Sequence, residues 1–367
     1  MYYAGDGEAV VATVNHRVDH TSSGVPTLER GAFVVSIDTE MAWGEAHQRG
    51  ASNESVGAIA SPAGRTYDRE REVIARILDI FARHEITATW AVVGHLFLAE
   101  CQDNGAGPHP EIVRPNYSWL DGDWFDIDPC TSLRDDPSFY GGDIVDTILA
   151  CPTPQEIGSH SFSHLIVDDP ACTREVFASE LTAAGTVAAQ RGVELRSFVY
   201  PRNGVAQVER LAEHGYRGYR GRHPLPSFAG RPAWQRRVLR MVDRVYPLRG
   251  SAARPVRHTS GVWNIPQSYY LFGPITSRRW LPTLHNHRPI ARLRQAARHR
   301  SVFHMWFHPH NIIATPGALN TLERICVAAA ELRDARRIDV VTMGDLAAQL
   351  DAAQMRDRAV PRSPSSR

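Results

Sequence analysis

The sequence contains no lysine: all 41 of its Lys+Arg positions are arginine. Without a lysine ammonium, a pyridoxal Schiff base, a lysine-dependent aldolase, a Walker-A phosphate loop and a protein-kinase site cannot be built by the usual route. Cysteine is sparse and odd in number (Cys101, Cys130, Cys151, Cys172 and Cys326), with no C-x-x-C pair. That pattern predicts reduced, partly buried thiols in a cytoplasmic protein rather than a disulfide frame. Long apolar runs are missing, and the first residues offer neither a basic nor an apolar leader region. The expectation is a cytoplasmic chain with no membrane span. No Arg-aromatic recognition motif is found, so no nucleic-acid partner is expected.

The residues that are present describe a globular chain. With 43% hydrophobic and 22% charged residues it can bury a core. The length of 367 residues fits two domains or one large α/β barrel. Charge is unevenly placed: the stretch from Arg217 to Arg300 holds 18 Arg and one acid, Asp243, although the whole chain is only +1. Such a block is either solvated surface or a means of steering an anionic, phosphate-bearing ligand.

Apolar patterning alternates strand and helix. Strands are predicted at Ala32–Ile37, Ile86–Val93, near Glu156–Gly158, and at Arg196–Tyr200, Tyr216–Tyr219, Ser301–Phe307 and Arg337–Thr342. Helices are predicted at Tyr67–His84, Asp143–Ala150, Thr173–Arg191 (closed by Gly192), Val205–His214, Ile290–His299, Leu319–Asp334 and Met343–Leu350. Repeated β-α units imply a distorted (β/α) barrel of mostly parallel strands, about seven in number. The expected domain spans residues 30–352, with insertions near 100–142 and 223–288. Residues 1–29 are expected to be a tail or edge segment and 353–367 a disordered tail.

Four segments carry the chemistry, each at or just after a predicted strand end, where barrel enzymes place their sites. In Ser36-Ile37-Asp38-Thr39-Glu40, strand alternation puts both carboxylates on one face; a helix-capping Asp beside a solvated Glu is the plainer reading. In His160-Ser161-Phe162-Ser163-His164, the i, i+4 spacing on a helical turn would bring two imidazoles together to share a metal. Two His and one carboxylate make a metal site with open positions. In Tyr200-Pro201-Arg202-Asn203, Arg202 and Asn203 would be exposed at the end of a strand; an ordinary surface turn is the alternative. In His304-Met305-Trp306-Phe307-His308-Pro309, alternation aligns His304, Trp306 and His308, and Pro309 ends the ladder.

Taken in this order, the four segments resemble the polysaccharide deacetylase family (carbohydrate esterase family four, with its NodB-homology barrel) over about Arg30 to Leu350. The resemblance implies that Asp38 is the base that activates water and that Glu40, His160 and His164 bind the metal. It makes His308 the general acid, and puts Arg202 and Asn203 in the segment that holds an Arg supporting the base. Tyr200, Trp43, Trp306 and His304 join Asn203 as candidate substrate contacts. Two features depart from the family pattern. The usual adjacent Asp-Asp is Asp38-Thr39-Glu40, and the usual Arg two residues before the Pro is Val199, so Arg202 must approach from the other side.

The expected function is metal-dependent hydrolysis of an N-acetyl or similar amide on a sugar or sugar-containing biosynthetic intermediate. The cofactor would be a divalent cation, Zn²⁺ by default, with Co²⁺, Mn²⁺ or Ni²⁺ as alternatives. The substrate would be a small molecule or oligosaccharide, phosphate-bearing if the arginine block is used. Two other readings compete. The same site could hydrolyse a cyclic amide or imide or move protons in an epimerisation, or a degenerate barrel could only bind glycans.

Overall fold

The computed structural model describes residues 28–45, 60–101, 105, 107–222, 235, 254–271 and 281–359. Residues 1–27 of the expected N-terminal segment 1–29, much of the 223–288 insertion with eight of the 18 arginines of the block, and the end of the 353–367 tail lie outside the described residues.

Strand β1 (Gly31–Thr39) is buried along its whole length. Its run of Ala, Phe, Val and Ile suits a strand covered on both faces, as parallel sheets require. It pairs in parallel with β2 (Thr89–Val92) and β10 (Ile338–Val340) on one edge and with β9 (Val302–Phe307) on the other. Beyond β2 follow β3 (Glu156–Ser159), β4 (Ser197–Val199), β5 (Gly218–Arg220), β7 (Trp263–Asn264) and β6 (Val256–Arg257). Beyond β9 lies β8 (Tyr269–Tyr270). Among the described strands only β6 and β7 pair antiparallel. Among the described residues the result is a curled sheet of ten strands, more than the seven expected because 256–270 contributes three two-residue strands that show no periodicity in sequence.

Helices lie along the chain between and after these strands: α1 (Ala60–His84), α2 (Gly142–Leu149), α3 (Arg174–Ala189), α4 (Val208–Glu213), α5 (Leu281–His299), α6 (Pro309–Ala314), α7 (Ala318–Asp334) and α8 (Met343–Ala359). The apolar stripe of α1 (Val73, Ile74, Ile77, Leu78 and Phe81) is buried while Glu72 and Arg76 are exposed, so the 3.6-residue period places its face as expected. Helix α3 starts on Thr173, whose hydroxyl accepts from Val176 N, and the chain turns away at Gly192 with φ 69°.

The 100–142 insertion is anchored to this frame. Arg71 of α1 donates to Asp143 at 2.8 Å and to the carbonyls of Pro137 and Tyr140 at 2.9 and 2.8 Å. At the strand starts, Glu156 bonds Thr89 and Ser197 hydroxyls at 2.7 and 2.8 Å and accepts Gly344 N at 3.0 Å, tying β2, β3, β4 and α8 together. With parallel strands, the carboxyl ends of β1, β3, β5 and β9 then share one rim, and the candidate site lies there.

Candidate active site

Glu40 follows the end of β1, His160 follows β3, and His308 follows β9. The Nε2 atoms of His160, His164 and His308 lie 3.1, 3.4 and 3.1 Å from a single oxygen, Oε1 of Glu40. All of these side chains are buried or nearly so. Gly44 makes room for the carboxylate, because a Cβ there would overlap Oε2 of Glu40. Burial opposes ionisation of Glu40, yet the imidazoles of His308, His164 and His160 outweigh it and hold the carboxyl well below its ordinary range. Burial lowers the pKa of His164, which favours the neutral, ligating ring.

The His160–His164 pair is not on a helical turn. Residues 161–163 form an open turn, with Ser161 and His164 in left-handed backbone at φ 60° and 61°. The rings still meet, with centroids 5.0 Å apart. The buried carboxylate of Glu180 holds this turn, accepting Phe162 N at 2.8 Å, Ser163 N at 2.9 Å and the Ser163 hydroxyl.

Three donors of the N, N, O type, from Glu40, His160 and His164, converge within 4.8 Å of one another, a set that suits a divalent cation. The orientation of His160 fits as well. Its Nδ1 sits 2.8 Å from the Val199 carbonyl, an acceptor, so Nδ1 carries a proton and Nε2 is the atom turned toward Glu40. A proton on Nε2, or a cation shared by the two atoms, fits that 3.1 Å contact.

Asp38 lies beside this set, with Oδ2 3.7 Å from His308 Nε2. Its partner is Arg220, the last residue of β5, whose NH1 and NH2 donate to Oδ1 and Oδ2 at 2.5 and 2.6 Å. Burial opposes the charge on Asp38, but Arg220, together with His308, holds its pKa below the ordinary value. Arg220 also donates to Ser36 at 3.1 Å and to Asn203 Oδ1 at 3.2 Å, and its guanidinium stacks 4.3 Å over Trp306. Under it, His304 bonds Ser36 Oγ at 2.9 Å and the Ile265 carbonyl at 3.1 Å. Burial and Arg220 push the pKa of His304 down to about 3, so it is a neutral positioning group beneath the site.

His308 is held by Asn311, whose Oδ1 accepts from its ring Nδ1 at 3.0 Å and its backbone N at 3.1 Å. Tyr270 donates to the same oxygen at 2.6 Å. Burial disfavours the His308 imidazolium, but Glu40 and Asp38 override it and raise the pKa to about 9.

Several sequence expectations fall elsewhere. Arg202 is exposed in the turn Pro201–Asn203 at φ 54° and forms no ion pair with Asp38; the chain bends there, and Arg220 fills that place. Tyr200 is buried among Phe177, Phe198 and Tyr219 and bonds the Ala206 carbonyl, so it supports the turn from the core. Trp43 is fully buried against His95 and Phe139, behind the loop that follows Glu40. Asn203, Trp306 and His304 do gather around Arg220. Besides Arg220, Asn311 and Tyr270, the reading from sequence missed Glu70. Both oxygens of this fully buried carboxyl on α1 lack a hydrogen-bond partner among the described residues.

No protein-family model matches the sequence, and no curated protein does. Solved structures do match. A Mycobacterium smegmatis protein assigned provisionally as a polysaccharide deacetylase aligns over 94% of this chain and 96% of its own, with TM-score 0.53 and 14% identity. Puue allantoinase aligns over 88% and 90%, with TM-score 0.47 and 12% identity. A family 4 carbohydrate esterase from Streptomyces lividans, solved with acetate, aligns over 84% and 90%, with TM-score 0.34 and 12% identity. The chain has the fold of the polysaccharide deacetylases, as the four sequence segments led one to expect. No helix among the described residues is long and apolar enough to cross a membrane.

Proposed function

We propose that the protein is a metal-dependent amidohydrolase that removes an N-acetyl or similar small acyl group from a sugar-containing substrate. The observation that carries this reading is the convergence of three imidazole nitrogens on Glu40 Oε1, with the Arg220-clamped Asp38 alongside. Glu40, His160 and His164 would hold the ion, Zn²⁺ by its preference for this donor set. Such an ion polarises a carbonyl oxygen and makes water more acidic.

Asp38 accepts the proton of the attacking water. Arg220 fixes both carboxylate oxygens, so the lone pairs left on Asp38 point in set directions, and its charge is kept in a site shielded from solvent. His308 gives a proton to the amide nitrogen as the C–N bond breaks. Asn311 orients that ring throughout. The products are the carboxylic acid and the free amine.

Trp306 and Asn203 stand beside Arg220 as candidate substrate contacts. Arg222, exposed and bonded to the Asn203 carbonyl at 2.9 Å, brings the arginine block to the same side of the site. A phosphate-bearing sugar in the cytoplasm fits that charge.

The test combines metal analysis with free-amine release across N-acetylated sugars, with and without phosphate. His160→Ala should lose the barrel-bound ion and the activity together, and Asp38→Asn should keep the ion while turnover falls by about 10²–10⁴-fold. Normal turnover in His160→Ala would sink the assignment. Ring opening or epimerisation without release of an acid would replace it with the other chemistry.

A further inference from the structure

A second group of metal-ligating side chains gathers under the 100–142 insertion, built from residues other than Asp38, Glu40 and the histidines around them. His95 lies in the 3-10 turn Gly94–Phe97 that follows β2, and Asp128 caps the turn Trp124–Ile127. Cys101 and His109 come from the first part of the insertion. One donor atom from each of the four lies within 4.8 Å of the others. Asp128 Oδ2 is 3.0 Å from His95 Nε2 and 3.2 Å from His109 Nε2, and Cys101 Sγ is 3.5 Å from His109 Nε2. The side chains of His95 and Asp128 are fully buried, and that of His109 is 10% exposed.

The hydrogen bonds around the cluster aim it inward. His95 Nδ1 lies 3.0 Å from the Phe139 carbonyl, which can only accept, so that nitrogen carries a proton. His95 Nε2 faces a carboxylate oxygen 3.0 Å away, a contact that a proton or a cation shared by both atoms would fill. The other Asp128 oxygen accepts the Cys130 amide at 2.9 Å, which fixes the carboxylate plane. Carbonyl-anchored imidazoles and a hydrogen-bonded carboxylate are what surround metal ligands in proteins. His109 adopts left-handed backbone, φ 50°, to reach the cluster.

We propose that His95, Cys101, His109 and Asp128 form a second metal site, a closed four-ligand site for a borderline-soft divalent cation of the Zn²⁺ type. The N, N, S, O donor set matches that ion, and four protein ligands leave no position for substrate. Its role is to fasten the insertion to the end of β2. The same Phe139 carbonyl that anchors His95 also accepts Trp43 Nε1 at 3.1 Å, and the Trp43 ring packs 4.5 Å from the His95 ring. Trp43 is three residues after Glu40, so the bound ion would brace the back of the active-site loop.

Cys130 offers the competing use of Cys101. Their sulfurs are 2.8 Å apart, so a redox pair of thiols is the alternative. The full-length protein, purified under a non-chelating reductant, separates the two. Metal is counted per chain after loading with Zn²⁺, and the absorption spectrum is recorded after loading with Co²⁺. The expected result is two ions per chain and a near-ultraviolet thiolate-to-cobalt charge-transfer band. His160→Ala should lose one ion and keep the band, because no sulfur ligand belongs to the barrel site. Cys101→Ser should lose the band and keep the barrel ion, and Asp128→Asn should weaken binding at the insertion alone. A fully loaded wild type with no thiolate band overturns the proposal whatever the variants do. One ion per chain with the band retained in His160→Ala would support this site and count against the barrel ion, so the two readings fail separately.

Discussion

Asp38 is ionised in a place where burial alone would keep it neutral, because the Arg220 guanidinium meets both of its oxygens. The pair is buried, and removing one partner of such a pair leaves an uncompensated charge that costs about 3–5 kcal/mol. Arg220→Ala is therefore expected to lower the denaturant midpoint sharply. Arg220→Lys should fold, since it keeps the charge, but it loses the two-pronged grip and the stacking on Trp306. Its free-amine release should fall by about 10²-fold, the size expected when a catalytic group is misplaced by an ångström. Wild-type turnover in Arg220→Lys would mean that orientation of Asp38 is not the function of this residue. The arginine was legible in principle. Alternation along Gly218-Tyr219-Arg220 puts Gly218 and Arg220 on one face, but a strand read as ending at Tyr219 left Arg220 outside it. The Pro201 turn offers Arg202 in its stead, whose exposure follows from a bend that no local pattern reveals.

At the scale of the element, the segment 160–164 brings its imidazoles together by a route different from the one its spacing suggests. A helical turn would do so through its own backbone bonds; here an open turn with two left-handed residues is held by one acid on α3. Glu180 was invisible as a site residue because its partners are backbone amides twenty or fewer residues away, which carry no sequence signature. Glu180→Ala should leave two buried amides unpaired, at about 1–3 kcal/mol each. With the turn loosened, the affinity of the barrel site for Zn²⁺ should drop by roughly 10–100-fold in a competition titration. Glu180→Gln retains an acceptor for both amides and should lose far less. Equal affinities in the alanine variant and the wild type would show that the turn holds itself.

Over the whole molecule, the β-α rhythm was legible because each main strand is a short apolar run between amphipathic helices. The end strands were not, because two-residue pairings at 256–270 depend on neighbours far along the chain. Glu70 shows the same limit: it sits in the helical pattern of α1 as an ordinary acid, yet the fold buries both oxygens without a hydrogen-bond partner among the described residues. Burial first, and then the charge of Glu40, pushes its pKa up to about 8. The folded protein thus holds a proton that the unfolded chain releases near the ordinary value of 4.5. For a group raised on folding, the stabilising contribution is complete below the unfolded pKa and is lost as pH rises toward the folded one. Global stability should decline through this group between about pH 4.5 and pH 8 and then level off, a change on the order of a few kcal/mol. Glu70→Gln cannot ionise and should lack that decline, while every other titrating group is common to both proteins. The difference in thermal midpoint, variant minus wild type, should therefore rise steadily from pH 5 to pH 8. Parallel curves would mean that Glu70 meets a compensating partner and keeps an ordinary carboxyl pKa in the folded barrel.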